Sequence, residues 1–458
     1  MAAGVALTTG KPEATGVGAS SDAASDLGRL RVLACAYACN PFRGSEEAVG
    51  WNWVRAIAAR CEVTVITAAF HRDSIERARA TTDSWARSVR FEYVRHRWWH
   101  YAPTPLWIRV ENSLLKPVMN QAYRRWLADA FVLARSIAQS QRFDLVHQCT
   151  YVGYRFPGHL WRLGLPFVWG PLGGLEIVPW RLLGAMDASG IVYYAAHNLV
   201  NSLHRRFLRD PRQAIEAAGP GVIAATTGIQ TELRRWYGAE SAVICEVTAP
   251  ASRDGGPAAR GDGELLRLAW SGQHASGKAL PLLFRALKDL SADVRWRLFI
   301  YGSGPKTEDW KRLANRLGVD QGCVWVGHIP REQAIAGIAD AHLFVITSLK
   351  DLTSTVLLEA LSQQVPVICP DHCGFSDVVN AECGIKLPID TPGVFVTGLR
   401  EAITGLFRDE ARRRRLAIGA GSRARAFGLD AKAVQIHAVY ERVLAQGYER
   451  ARQNRDRA

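Results

Sequence analysis

The chain lacks any run of ~18 or more consecutive apolar residues, so no segment is expected to span a membrane as a helix. It also lacks a paired-cysteine framework. Its nine cysteines are odd in number and scattered. Cys35/Cys39 and Cys369/Cys373 are separated by three residues rather than two, and no second matching pair completes a zinc site. Cys35 and Cys369 fall in apolar strand patterns, where buried free thiols are expected, and the set fits a reducing cytoplasm. Residues 1–28 are rich in Ala, Gly, Ser and Thr but have no basic start and no compact apolar stretch. A secretory signal is therefore not expected there, and a disordered tail is. No zinc finger, RRM signature or basic zipper accompanies the formal net charge of +14, so nucleic acid is not expected as a partner. An anionic membrane and phosphate-bearing substrates remain as causes of that charge.

With 458 residues, 48% of them hydrophobic and 22% charged, the chain can build two globular domains, each with its own core. The first half alternates short apolar runs, at 30–37, 62–69, 89–94, 143–148, 166–170 and 222–226, with helical patterns. That rhythm predicts βαβ units and a parallel sheet. A linker rich in Gly, Pro, Ala and charge follows at 250–264. The rhythm then resumes, with strands expected at 266–271, 296–301, 324–327, 343–347 and 366–369. The expected division is a tail at 1–28, a domain at 29–249, the linker at 250–264, a domain at 265–428 and a basic amphipathic C-terminal helix within 429–458. Two α/β halves joined by a linker place a cleft between them.

Within the second half, Ser348-Leu-Lys-Asp351-Leu-Thr-Ser-Thr-Val-Leu-Leu-Glu359 sets two carboxylates eight residues apart. A buried strand is expected on either side of this segment. Ligands of open parallel sheets bind beyond the carboxyl ends of the strands. The helix starting near Thr353, Ser354 and Thr355 would aim unpaired amides at that crevice, which suits a phosphate. Carboxylates accept hydrogen bonds from hydroxyls, so Asp351 and Glu359 suit a ribose or a hexose.

This segment resembles the paired-acid motif of retaining GT-B glycosyltransferases, glycosyltransferase family 4, with Asp351 where Glu is usual. The resemblance covers most of residues 30–440 and is most specific in 266–380. It implies two Rossmann-like domains facing a cleft, with the final helix crossing back onto the N-terminal domain. It also implies transfer of a sugar from a nucleotide diphosphate to an acceptor hydroxyl, with front-face attack and a donor phosphate oxygen taking the proton. Lys278, in Trp270-Ser-Gly-Gln-His-Ala-Ser-Gly-Lys278, matches the family's diphosphate lysine, while Gln273 stands at its usual Arg position. The loop Asn40-Pro-Phe-Arg-Gly44-Ser45-Glu46 resembles the family's Gly-Gly loop under the donor diphosphate, with Ser45 for the second Gly. Ser45 also fits an ordinary N-cap. Glu359 would hold the ribose, Asp351 the donor sugar, and Lys278 with the Thr353–Thr355 amides the leaving group.

His147 ends an apolar strand where the family often shows His-x-His, and Cys149 takes the second place. A satisfied strand-end histidine is the favoured reading. The glycine-rich loop Trp169-Gly-Pro-Leu-Gly173-Gly174-Leu-Glu176 is read as acceptor-side. The chain has no Asp-x-Asp pair, so no metal is expected at the donor site, and no cofactor beyond the donor itself. Cations and large aromatics at Arg95–Tyr101, then Trp107, Arg109, Lys116, Arg124, Arg125 and Trp126, suit either an anionic leaflet or a solvated face with inward tryptophans. The expectation is a cytoplasmic enzyme, peripheral on the inner face of the membrane, that glycosylates a saccharide or lipid-linked acceptor. The alternatives are a nucleotide-sugar epimerase or phosphorylase of the same fold, and a silent sugar-nucleotide-binding scaffold.

Overall fold

The computed structural model describes residues 29–81, 83–95, 116–261 and 263–456. The expected tail and residues 96–115 of the basic-aromatic region lie outside the described residues.

Seven parallel strands form the first sheet: β1 (Arg31–Ala36), β2 (Glu62–Ala68), β3 (Arg90–Val94), β4 (Leu145–Thr150), β5 (Phe167–Leu172), β6 (Val222–Ala224) and β7 (Ala242–Val243). Their order is β3-β2-β1-β4-β5-β6-β7. Six more build the second sheet: β8 (Leu266–Ser271), β9 (Trp296–Tyr301), β10 (Cys323–Gly327), β11 (Leu343–Val345), β12 (Val367–Pro370) and β13 (Gly384–Leu387). Their order is β10-β9-β8-β11-β12-β13, again all parallel. Helices cover both faces of each sheet, so each has two apolar cores. This is why β4 and β5 are buried at every residue and show no polar alternation. Strands β7 and β13 were not anticipated. The first has two residues and the second opens on Gly384, too little for a period to show.

Strand order reverses between β1 and β4 in one sheet and between β8 and β11 in the other. These are the switch points where loops diverge and leave a crevice. The long C-terminal helix Leu429–Asp456 does cross back. Ala433, Ile436, Val439, Tyr440 and Val443 pack into the core of the first sheet beside Val32 and Trp53. Tyr440 Oη lies 2.6 Å from His147 Nδ1, and His147 Nε2 lies 2.9 Å from the Gly170 carbonyl. Burial pushes the His147 imidazole down to about 4, so it is neutral at physiological pH. His147 is thus a satisfied strand histidine that ties the last helix to the sheet.

One stretch does not follow the division by halves. Val178, Leu182, Leu183 and Met186 pack in a core of the second sheet, against the Leu280–Leu287 region. The helix Ala188–Phe207 then returns to the first domain.

Candidate functional site

The loops after β8 and β11 diverge at the second switch point, and they bring Lys278 and Asp351 together. Lys278 ends a single 3-10 turn, Ser276–Lys278, and Ala279 after it takes φ 48°. Its ammonium donates to Asp351 Oδ2 at 2.5 Å. Asp351 Oδ1 accepts from the Leu352 amide at 3.1 Å, and the Lys278 carbonyl accepts from Thr347 Oγ1 at 2.7 Å. Both charged side chains keep partial access to solvent. Two residues singled out 73 positions apart therefore form one ion pair at the mouth of the crevice.

The helix expected after Asp351 spans Thr355–Ser362, with Ser354 at its cap in the left-handed region at φ 72°. Thr353 departs from the expectation. Its amide donates to Glu246 Oε1 at 2.7 Å and its hydroxyl to Glu246 Oε2 at 2.8 Å. A buried carboxylate from the segment after β7 thus takes the amide that was expected to face a phosphate. Burial pushes Glu246 up to about 7, against the pull of its bonds to Thr353. Ser354 and Thr355 make no backbone N–H bond among the described residues, so their amides remain the donors at this helix start. One turn on, Glu359 is buried. Its Oε1 accepts from Arg331 Nε at 2.7 Å and lies 2.6 Å from the second guanidinium nitrogen. Burial raises the Glu359 carboxyl and Arg331 opposes the shift.

Across the cleft, the loop after β1 supplies the other wall. Gly44 is exposed, and a Cβ there would meet nothing within 4 Å, so neither a tight turn nor a close approach requires it. Ser45 holds the special conformation instead, at φ 57°, and its side chain makes no capping bond to helix Glu46–Ala58. Ser45 thus stands at the N-cap position, its carbonyl accepting from the Val49 amide at 3.1 Å, but without the side-chain bond of an ordinary cap. A cavity of about 140 Å³ lies between the domains, lined by Asn40, Arg43, Ser45, Val247, Arg331 and Thr355 among others. Ser45, Thr355 and Arg331, the partner of Glu359, thus converge on one space. Four of the five non-glycine residues with left-handed φ among the described residues are Ser45, Ala279, Ser354 and Cys373. Each follows a strand, in a loop or, for Cys373, at the first residue of the helix Cys373–Val378, where backbone strain is a common companion of function.

Gln273 is exposed in the loop after β8 and makes no side-chain hydrogen bond among the described residues, so it is available to a ligand. His274 beside it does not replace a missing cation. It is buried against Trp310 and Trp325, bonded to Thr307 Oγ1 at 2.8 Å, and pushed down to about 4 by burial. The glycine-rich loop after β5 closes the far side. A Cβ on Gly173 would come within 2.9 Å of Leu352 across the cleft, so glycine permits that approach. Lys350 reaches over to the Glu176 carbonyl at 2.5 Å. Of the described part of the basic-aromatic region, Trp126 points inward, donating to the Val94 carbonyl at 3.2 Å. Among the described residues no cluster of His, Cys, Asp and Glu is arranged to hold a metal ion.

Arg331, Lys350 and Glu246 were not anticipated. Arg331 did leave a signal, because a cation at the first position of a helix opposes the helix dipole and calls for a nearby carboxylate. Lys350 abuts Asp351 in sequence. Glu246 left none, since its partner lies 107 residues away.

Residues 265–421, which carry Lys278, Arg331, Asp351 and Glu359, match the family model for glycosyl transferases group 1. Curated proteins give no sequence match. Among solved structures, the chain resembles the apo form of lipopolysaccharide outer core galactosyltransferase WaaB, at 14% identity and TM-score 0.58, over 90% of this chain and 99% of that one. It also resembles sucrose-phosphate synthase from Thermosynechococcus elongatus, at 16% identity and TM-score 0.60, over 91% and 100%. A third is HepE of Anabaena in complex with UDP, at 13% identity and TM-score 0.55, over 90% and 99%. The fold is therefore GT-B, two Rossmann-like domains with the last helix crossing back.

Proposed function

We propose that this protein is a retaining glycosyltransferase. It moves a hexose from a nucleotide-diphosphate sugar to a hydroxyl of a saccharide acceptor, carried on a lipid, in the synthesis of a surface polysaccharide. The observation that carries the reading is the Lys278–Asp351 pair at the switch point of the second sheet, within the stretch that matches the group 1 model.

In the reaction the bond from the anomeric carbon to the diphosphate oxygen breaks, and its electron pair leaves with the phosphate. The acceptor oxygen bonds to the same face of that carbon, and its proton passes to the departing phosphate oxygen. Negative charge therefore grows beside Lys278 and the Ser354 and Thr355 amides, whose fixed donors stabilise it. Gln273 adds a neutral donor where a second cation is usual. Asp351 holds Lys278 in place before the donor arrives and then accepts from sugar hydroxyls. Glu359, oriented by Arg331, accepts from the ribose hydroxyls, and Gly44 and Ser45 cover the donor from the first domain. No metal and no cofactor enter this scheme. The protein acts in the cytoplasm, on the inner face of the membrane.

A thermal-shift screen of UDP- and GDP-linked sugars tests the donor, followed by transfer to saccharide acceptors with and without chelator. The expected result is stabilisation by one nucleotide sugar and a product of retained anomeric configuration, formed equally well in chelator. An inverted product, loss of transfer in chelator, or stabilisation by none of the sugar nucleotides would overturn it.

A further inference from the structure

The helix Ala188–Phe207 is turned inside out for a protein in water. Its buried side is polar: Asn198 and Asn201 are 0% exposed and Arg205 4%. Its exposed side is apolar: Val192 is 70% exposed, Leu199 58%, Leu203 56% and Phe207 66%. At ~100° per residue, Val192, Ala196, Leu199, Val200, Leu203 and Phe207 fall within an arc of about 100°. A helix that met only water would carry the opposite pattern.

The inner face explains why the helix tolerates this. Asn198 exchanges two bonds with the Val178 backbone, at 2.8 and 3.1 Å. Asn201 donates to the Gly174 and Leu175 carbonyls at 3.1 Å, and Arg205 donates to Leu175 and pairs with Glu232. The helix is therefore held by polar clamps on the acceptor-side loop and by Tyr194 and Ala195 packed on the second core, while the apolar residues of its outer arc bury nothing. At its other end Asp187 meets Ser276 and Lys306 at 2.5 Å, and Tyr194 packs where a Cβ on Gly277 would stand, next to Lys278. One helix thus touches both domains at the donor lysine and offers its outer, apolar side to the surroundings.

We infer that this outer face lies in the interface of an anionic lipid bilayer. The charge pattern selects that occupant. The helix has no Asp or Glu, and exposed Arg181, Arg206 and Arg209 flank the apolar arc. Trp180, 51% exposed in the 3-10 segment packed on the helix, adds a side chain suited to the headgroup depth. Cations around an apolar stripe favour anionic headgroups, whereas a second copy of the chain would bring a like-charged rim against them. The surface also brings the membrane to the mouth of the cleft, where a lipid-linked acceptor enters. Only that last point rests on the glycosyltransferase reading.

Flotation of the full-length protein with vesicles tests the inference without turnover. Binding is expected to phosphatidylglycerol–phosphatidylcholine vesicles at low salt and to be weak with phosphatidylcholine alone. The double substitution Leu199→Glu/Leu203→Glu should weaken it by about tenfold or more, while Ile418→Glu, at an exposed site on helix Glu410–Arg425, should not. Val192→Gln and Leu199→Gln, each alone, keep the test readable if the double variant does not fold. No binding by the wild type, or equal binding by all variants, would overturn the inference. So would light scattering showing a dimer that Leu199→Glu/Leu203→Glu converts to monomers. Transfer to a water-soluble acceptor is expected to survive these substitutions, so loss of vesicle binding and failure of the transferase reading stay distinguishable.

Discussion

Lys278 and Asp351 neutralise each other across 2.5 Å in a cleft still open to water. A partly solvated pair adds little to stability, so its value is in placing a cation. Lys278→Met is expected to lower kcat by about 10²-fold while shifting stability by less than about 1 kcal/mol. Transfer kinetics and urea denaturation check both parts. Glu246 gives a prediction with a definite sign. Its folded-state carboxyl is raised to about 7, so the stability it contributes is present below its ordinary value and is lost as pH rises through about 7. The imidazoles His147, His274, His342 and the half-buried His372, each pushed down to about 4 by loss of solvent, act in the opposite sense, losing stability as pH falls from about 6.5 toward 4. Glu246→Gln isolates the carboxyl. The variant should gain melting temperature relative to wild type as pH rises from 5 to 8. A pH-independent difference would show that Glu246 does not titrate there. Lys278, Asp351 and Glu359 were legible because each follows an apolar strand or begins a helix, where position along the chain implies position in the crevice. The capture of Thr353 by Glu246 was not, since nothing local connects residues 107 apart.

Among the elements, the helix Ala188–Phe207 shows how a sequence pattern can mislead. Its apolar residues recur with helical spacing, which by itself predicts a core-facing stripe. The fold turns that stripe outward because Asn198, Asn201 and Arg205 find backbone carbonyls to satisfy on the inside. Asn198→Leu should therefore destabilise the protein by about 2 kcal/mol, since it strands the buried Val178 amide and carbonyl. Chemical denaturation reads this, and a neutral effect would mean that the loop reorganises at little cost. The C-terminal helix buries its apolar side on the first sheet, and two polar contacts, Tyr440 to His147 and Lys432 to the Cys245 carbonyl, help set where it lies.

For the whole molecule, the two domains meet through the apolar packing of Val178, Leu182, Leu183 and Met186 on the second core and through polar contacts around the cleft. Asp377 accepts from the Thr227 amide at 2.7 Å and from its hydroxyl at 2.5 Å, and Asp187 holds Ser276 and Lys306. Burial would raise the Asp187 carboxyl, but its bonds to Lys306, Ser189 and Ser276 outweigh that and hold it well below the usual range. Asp187→Ala combined with Asp377→Ala should loosen the closed arrangement. The measurable consequence is a larger radius of gyration by small-angle scattering at unchanged far-UV circular dichroism. An unchanged radius would mean that the apolar packing of Val178, Leu182, Leu183 and Met186, with the Glu246–Thr353 and Lys350–Glu176 contacts, suffices.

The sequence by itself determined that two parallel α/β domains form, that a cleft lies between them, and which cation and carboxylates stand at its second-domain wall. Those are consequences of period, strand ends and helix starts, all local. Tertiary structure alone decided that Lys278 pairs with Asp351, that Arg331 holds Glu359, and that Glu246 occupies the Thr353 amide. It alone decided that an apolar helical stripe faces outward. Each of these depends on which groups satisfy one another across the fold, and hydrogen bonding between distant residues leaves no trace in the spacing of either.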